Sequence, residues 1–184
     1  MQKALRIAVI YGSVRDGRLC DTIVSWVAGQ IGMDSRFEID LVDPADHTPE
    51  RASGRTSGNR LAAADGFIVV TPEYNHSFTG ALKSFIDTFG EEWHAKPVAF
   101  VSYGGLSGGL RAVEHLRGVF AELHAVGLRD TVSFAGVWNR FGADGELKDP
   151  VAAERSMATL LSRLHWWASA LRSARADREF EVAA

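Results

Sequence analysis

Apolar residues along the chain follow two rhythms that alternate. Residues 5–11 (LRIAVIY) are almost continuously apolar and β-branched, the pattern of a strand covered on both faces. Leu19, Ile23, Val27 and Ile31 then recur at helical spacing. Residues 37–42 alternate apolar and polar, which predicts a strand with one exposed face, hence an edge. Two more apolar runs, 66–70 and 98–103, predict buried strands, and a short fifth strand is expected from near Leu128 to Phe134. The helical rhythm returns at Leu82, Phe85, Ile86 and Phe89, at Leu110, Val113, Leu116 and Phe120, and from Met157 to Leu171. Ser107 is the expected N-cap of the helix from Leu110, with Gly127 near its C-cap. Residues 44–60 are polar with two prolines and two glycines, and predict a mobile surface loop. A short helix is expected within or after it, starting near Ser57 and ending before Gly66. Residues 136–150 read as loop, and the charged tail after Ala174 as frayed.

Strand followed by helix, five times over, predicts an α/β fold built of βαβ units around a parallel sheet. Right-handed crossovers and an edge strand at 37–42 favour the strand order 2-1-3-4-5, in one domain spanning 1–184. In that order the topological switch point lies between the first and third strands, where open α/β sheets bind ligands. The 12–18 and 72–79 turns border it, flanked by the 104–109 turn.

Composition narrows the picture. At 184 residues and 46% hydrophobic, the chain suits one domain with a substantial core. A net charge of -3 argues against nucleic acid or an anionic membrane as partner. One cysteine, Cys20, excludes an internal disulfide and suits a reducing compartment. With no signal-like segment and no apolar run long enough to span a bilayer, a cytoplasmic protein is expected.

The three turns hold the unusual chemistry. In the 12–18 turn, Ser13, Arg15 and Arg18 precede a helix N-terminus, a combination suited to phosphate oxygens. It is neither a dinucleotide fingerprint nor a P-loop, so a single phosphomonoester is the simplest anion. In the 72–79 turn, Pro72 stiffens the backbone, Tyr74 offers an aromatic surface and Asn75 an amide, as against a flat heterocycle. His76 reads as exposed rather than catalytic. The glycines of 104–109 allow close backbone approach.

A rival reading exists. Residues 105–109 match G-x-S-x-G, which would make Ser107 a hydrolase nucleophile, with Asp130, Asp144 or Asp149 and His165 completing a triad. Against it, His165 falls within the last helical stretch, and the rival leaves both arginines of the first turn unused. No metal-binding pattern is present: Glu114, His115, Glu122 and His124 read as one polar helix side. Trp93, Trp138, Trp166 and Trp167 read as packing or subunit contacts. Phe78, Phe89 and Trp93, near the 72–79 turn, could instead cap a bound ring.

Taken together, Gly12-Ser13-x-Arg15, Pro72-Glu73-Tyr74-Asn75-x-Ser77 and Ser102-Tyr103-Gly104-Gly105-x-Ser107-Gly108-Gly109 resemble the NADPH-dependent FMN reductase family, whose members include FMN, quinone, azo-dye and chromate reductases. The resemblance covers about residues 4–172. It implies a flavodoxin-like three-layer fold, bound FMN, and a homodimer or tetramer. Ser13 and Arg15 match the phosphate loop. Arg18, Cys20, Asp21 and Thr22 match the rest of that loop and the helix start, where backbone contacts are expected. Pro72, Glu73, Tyr74 and Asn75 match the turn beside the isoalloxazine ring, and Ser102, Tyr103, Gly104 and Gly105 the loop at its other edge. Many members carry proline at or near Thr79, which implies a looser turn here. The implied activity is hydride transfer from NADPH or NADH to N5 of FMN, then to a quinone-like, flavin or other small-molecule acceptor. No side chain is expected to be obligatory, because the flavin carries the chemistry. The remaining alternative is a flavodoxin-like electron carrier, for which a charge of -3 is modest.

Overall fold

The computed structural model describes residues 3–46 and 55–181. Five parallel strands, β1 (Leu5–Tyr11), β2 (Phe37–Val42), β3 (Gly66–Pro72), β4 (Pro97–Gly104) and β5 (Val126–Ala135), form one sheet in the order 2-1-3-4-5. Helices α1 (Cys20–Gly32), α2 (Arg55–Ala63), α3 (Gly80–Asp87), α4 (Leu110–Glu122) and α5 (Val151–Asp177) cover it. The fold is the flavodoxin-like α/β sandwich that the order 2-1-3-4-5 defines.

Side chains of a strand point alternately to its two faces, so each central strand feeds two cores. Ile7 and Val9 of β1, Ile68 and Val70 of β3, and Ala99 and Val101 of β4 meet α1 and α5. Ala8 and Ile10, Phe67 and Val69, and Val98 and Phe100 meet α2, α3 and α4. That double burial is why β1, β3 and β4 lack the alternation seen in β2. β2 pairs with β1 alone, and Glu38 and Leu41 are exposed.

Four local expectations are revised. The N-cap of α4 is Gly109, not Ser107. Its φ is 86°, and a Cβ there would stand 2.7 Å from the Tyr103 nitrogen. Gly127 lies inside β5; the left-handed residue after α4 is His124, with φ 53°. The tail beyond Ala174 continues as helix to Asp177, because Arg172 and Arg175 dock α5 onto the amino end of the sheet. The 136–150 segment is not plain loop. It holds a short 3-10 turn at Val137–Asn139 and a small hairpin in which Phe141 pairs with Leu147. The helix expected near Ser57 begins at Arg55, and residues 47–54 of the expected loop lie outside the described residues.

Candidate functional site: a crevice at the carboxyl end of the sheet

Where β1, β3, β4 and β5 end, their following turns enclose a crevice of about 620 Å³. This lies within the usual range for small-molecule sites. The 12–18 turn forms one end. Gly12 presses against β3: its N–H donates to Val70 O (2.8 Å), and a Cβ at this position would stand 2.6 Å from that oxygen. Ser13 is buried beneath the turn, with its hydroxyl 3.3 Å from that of Tyr74. The Arg15 guanidinium lies 3.9 Å over the Tyr74 ring and has no carboxylate partner among the described residues. The backbone N–H groups of Asp16 and Gly17 likewise meet no acceptor among the described residues. A hydroxyl, one cation and two open N–H groups ahead of α1 make an anion cradle.

Arg18 also lines the crevice but, unlike Arg15, is paired within the protein. Its guanidinium donates to Ser13 O (2.5 Å), to Asp21 Oδ1 (2.8 Å) and to both carboxylate oxygens of Asp43, one at 2.9 Å. The bonds to Asp43 raise its pKa above the ordinary arginine value. Thr22 and Leu19 line the crevice beside it. Asp21 is exposed and bound to Arg18. Cys20 points away: it is fully buried, its thiol faces Val70 O at 3.6 Å, and burial raises its pKa.

The 72–79 turn is tighter than its departure from proline implies. Thr79 is the N-cap of α3, its hydroxyl accepting from the Leu82 N–H (3.1 Å) and donating to Gly12 O (2.7 Å). One side chain thus caps a helix and ties two walls together. Tyr74 and Ser77 exchange backbone bonds of 2.8 and 3.0 Å around Asn75 and His76, whose φ values are 50° and 68°. Two consecutive positive φ angles make this a type I′ turn, a conformation asparagine tolerates well. Asn75 and His76 are exposed at its tip, so Asn75 stands outside the crevice wall.

Glu73 joins the second wall to the third. Its carboxylate accepts from the Ser107 hydroxyl (2.6 Å), the Arg111 N–H (3.1 Å) and the Arg111 guanidinium (2.8 Å). Burial opposes its ionisation, yet these bonds outweigh burial and hold its pKa below the ordinary glutamate value. The same bond disposes of Ser107 as a nucleophile, because its hydroxyl serves a carboxylate rather than a histidine. His165 sits in α5 with its ring edge against Phe37, at the opposite end of the sheet.

Pro72, Glu73 and Tyr74, with Tyr103, Gly104 and Gly105, line the crevice as the motifs suggested. Burial raises the Tyr103 phenol far above its ordinary pKa, so it stays neutral. Ser102 sits one layer below, donating to Gly108 O (2.9 Å). A fourth wall was not anticipated. Val137, Trp138, Phe141, Gly142 and Ala143 close the crevice from the end of β5, with Trp138 against Gly105 and 75% exposed. A tryptophan in a polar stretch was its only sequence signal. Trp93, by contrast, is core: it is fully buried, and its indole donates to Ile86 O and Phe89 O. No cluster of three metal-ligating side chains occurs among the described residues, and no described helix is long and apolar enough to cross a membrane.

A flavodoxin-like sheet with an anion cradle at one end of its crevice and aromatic and glycine walls along the rest defines a class. It is that of α/β proteins that take a phosphorylated planar heterocycle. Comparison with known proteins narrows it: the family model described as NADPH-dependent FMN reductase matches residues 5–139, and the chain belongs to that family. The chain is 37% identical over 122 residues to an NAD(P)H-dependent FMN reductase of Schizosaccharomyces pombe, an alignment covering 56% of this chain and 60% of that relative. It is 33% identical to an NAD(P)H:quinone oxidoreductase of Solanum tuberosum, covering 88% of this chain and 92% of that one. Among solved structures, the flavoenzyme NAD(P)H:acceptor oxidoreductase FerB of Paracoccus denitrificans superposes with a TM-score of 0.70 at 21% identity, over 90% of this chain and 98% of that chain.

Proposed function

We propose that this protein is an NAD(P)H-dependent oxidoreductase that binds FMN in the crevice at the carboxyl end of its sheet and reduces a quinone-like or other small acceptor. The observation that carries the reading is the division of the crevice. One end offers the Ser13 hydroxyl, the Arg15 guanidinium and the free N–H groups of Asp16 and Gly17, donors suited to a phosphate. The rest offers Tyr74, Tyr103, Trp138 and the backbone of Gly104 and Gly105, surfaces suited to a flat ring. FMN fits such a donor set, and when bound it supplies the hydride chemistry that no side chain here can perform.

The chain's own part is to hold and orient. Ser13 and Arg15 fix the anion. The Thr79 and Glu73 bridges keep the walls at constant spacing. Trp138, exposed at the rim beside Gly105, would add an aromatic surface against a bound ring. Relatives named as quinone reductases support the acceptor class. A homodimer belongs to this reading, supported by the exposed apolar side chains Leu106, Leu110 and Trp138. So does a reducing, cytoplasmic setting, supported by a single buried, free thiol.

The test is a spectrum. Purified protein incubated with FMN and freed of excess should be yellow, should bleach on addition of NADPH or NADH without a partner reductase, and should regain colour with a benzoquinone. Protein that takes up no FMN contradicts the reading. Protein that takes up FMN but bleaches only with an added reductase is an electron carrier.

A further inference from the structure

The two arginines of the first turn are three residues apart and have opposite surroundings. Arg15 is exposed at the crevice, and among the described residues its guanidinium meets only the face of Tyr74. Arg18 is 13% exposed, sits 4.7 Å over the Tyr11 ring, and spends four hydrogen bonds on Ser13 O, Asp21 and the two oxygens of Asp43. A guanidinium has five N–H donors, so little of Arg18 is left for a ligand. Its single charge faces two carboxylates, so the cluster adds no positive potential to the crevice.

We propose that Arg18 and Asp43 form a clamp that sets the shape of the 12–18 turn around the anion cradle. Asp43 is the first residue past β2, and it also accepts the Ala45 N–H at 2.9 Å. Its carboxylate is therefore held from its own side. Arg18, whose side chain borders the crevice, carries that fixed point across to the carbonyl of Ser13. With the Ser13 carbonyl taken by Arg18, the Ser13 hydroxyl and the N–H groups of Asp16 and Gly17 are left for the crevice. Asp43 thereby becomes a positioning residue of the anion site without touching it. The inference rests on the proposed FMN reading and assigns its phosphate end.

The sign of one substitution decides. Asp43→Asn removes a negative charge close to an anion site. If Arg18 were a phosphate ligand restrained by Asp43, freeing it would tighten FMN binding. If the pair is a clamp, losing the fork-to-fork pairing loosens the turn and weakens FMN binding, by about tenfold. The experiment titrates apo-protein with FMN and, separately, with riboflavin, which has the same ring and no phosphate. The expected result is weaker FMN binding in Asp43→Asn with riboflavin affinity unchanged, the latter showing that the crevice is intact. Arg18→Lys keeps the charge but not the fork, and should weaken FMN binding similarly. Tighter FMN binding in Asp43→Asn, or wild-type affinity in Arg18→Lys, overturns the clamp. Wild-type protein that binds FMN no better than riboflavin overturns the phosphate site first, and the clamp with it.

Discussion

At the amino end of the sheet, Asp65 accepts the Arg6 N–H at 2.9 Å and faces the guanidinium groups of Arg172 (3.3 Å) and Arg175 (3.7 Å). Arg172 also donates to Lys3 O and Ala4 O, and Arg175 to Ala95 O. Lys96 is 5% exposed and caps α2, donating to Leu61 O (2.8 Å) and Ala62 O (2.9 Å). Every one of these charges is answered by protein. At the carboxyl end, Arg15 meets an aromatic face but no carboxylate, and the N–H groups of Asp16 and Gly17 meet no acceptor, among the described residues. Both ends are polar, so polarity does not distinguish them. The difference is closure: satisfied polar groups stabilise a fold, whereas preorganised unsatisfied ones wait for a ligand.

That contrast predicts opposite phenotypes. The largest effect belongs to Asp65→Ala. Removing the shared carboxylate leaves two arginines facing each other near the start of β3. Loss of about 3 kcal/mol is expected, at the low end for a buried pair because Asp65 retains some exposure. That corresponds to a fall in Tm of about 6–12 °C for a chain of this size. FMN affinity of the folded fraction should not change. A large change in affinity would erase the distinction between the ends.

Lys96 gives a pH-dependent version. Burial lowers its pKa to about 8, from an ordinary 10.5. Between those values the unfolded chain holds a proton that the folded chain has released. Stability therefore rises with pH across that window. Urea denaturation of wild type and Lys96→Met at pH 8 and pH 10 should show wild type gaining on the variant as pH rises. The opposite trend contradicts the assignment.

Thr79→Ala sharpens the comparison, because Thr79 belongs to the carboxyl end yet is fully partnered. It should cost about 1–2 kcal/mol of stability as a lost cap and wall tie. Glu73→Gln should cost about 1 kcal/mol at neutral pH. The Glu73 pKa is lowered in the fold, so its contribution is complete above the ordinary glutamate pKa. It disappears as pH falls through the lowered value, and wild type and Glu73→Gln should then converge in acid. Divergence there would show that Glu73 does not bridge the walls as a carboxylate.

Much of this was legible in the chain. The strand order followed from one alternating run among continuous ones, and β1 and β2 were read to the residue. Ser13, Arg15, Tyr74 and Gly105 reached the crevice because strand-end turns carry their neighbours there whatever the packing below. Three things were not legible. Arg18 looked like Arg15, since only the tertiary approach of Asp43, 25 residues away, separates them. Ser107 looked like a cap or a nucleophile until Glu73, 34 residues earlier, claimed its hydroxyl. The fourth wall at 137–143 has no periodicity, and its place is set by where β5 ends. Local pattern thus located the crevice, and long-range pairing decided which of its side chains remain available.

In the reading proposed above, the carboxyl-end crevice binds FMN through its phosphate at Arg15. The most direct test is the ratio of riboflavin to FMN dissociation constants in wild type and Arg15→Ala, measured by quenching of flavin fluorescence. Loss of a charge-assisted contact predicts that FMN affinity falls about 10–100-fold while riboflavin affinity holds, collapsing the ratio toward one. An unchanged ratio in Arg15→Ala would mean that Arg15 does not hold the phosphate.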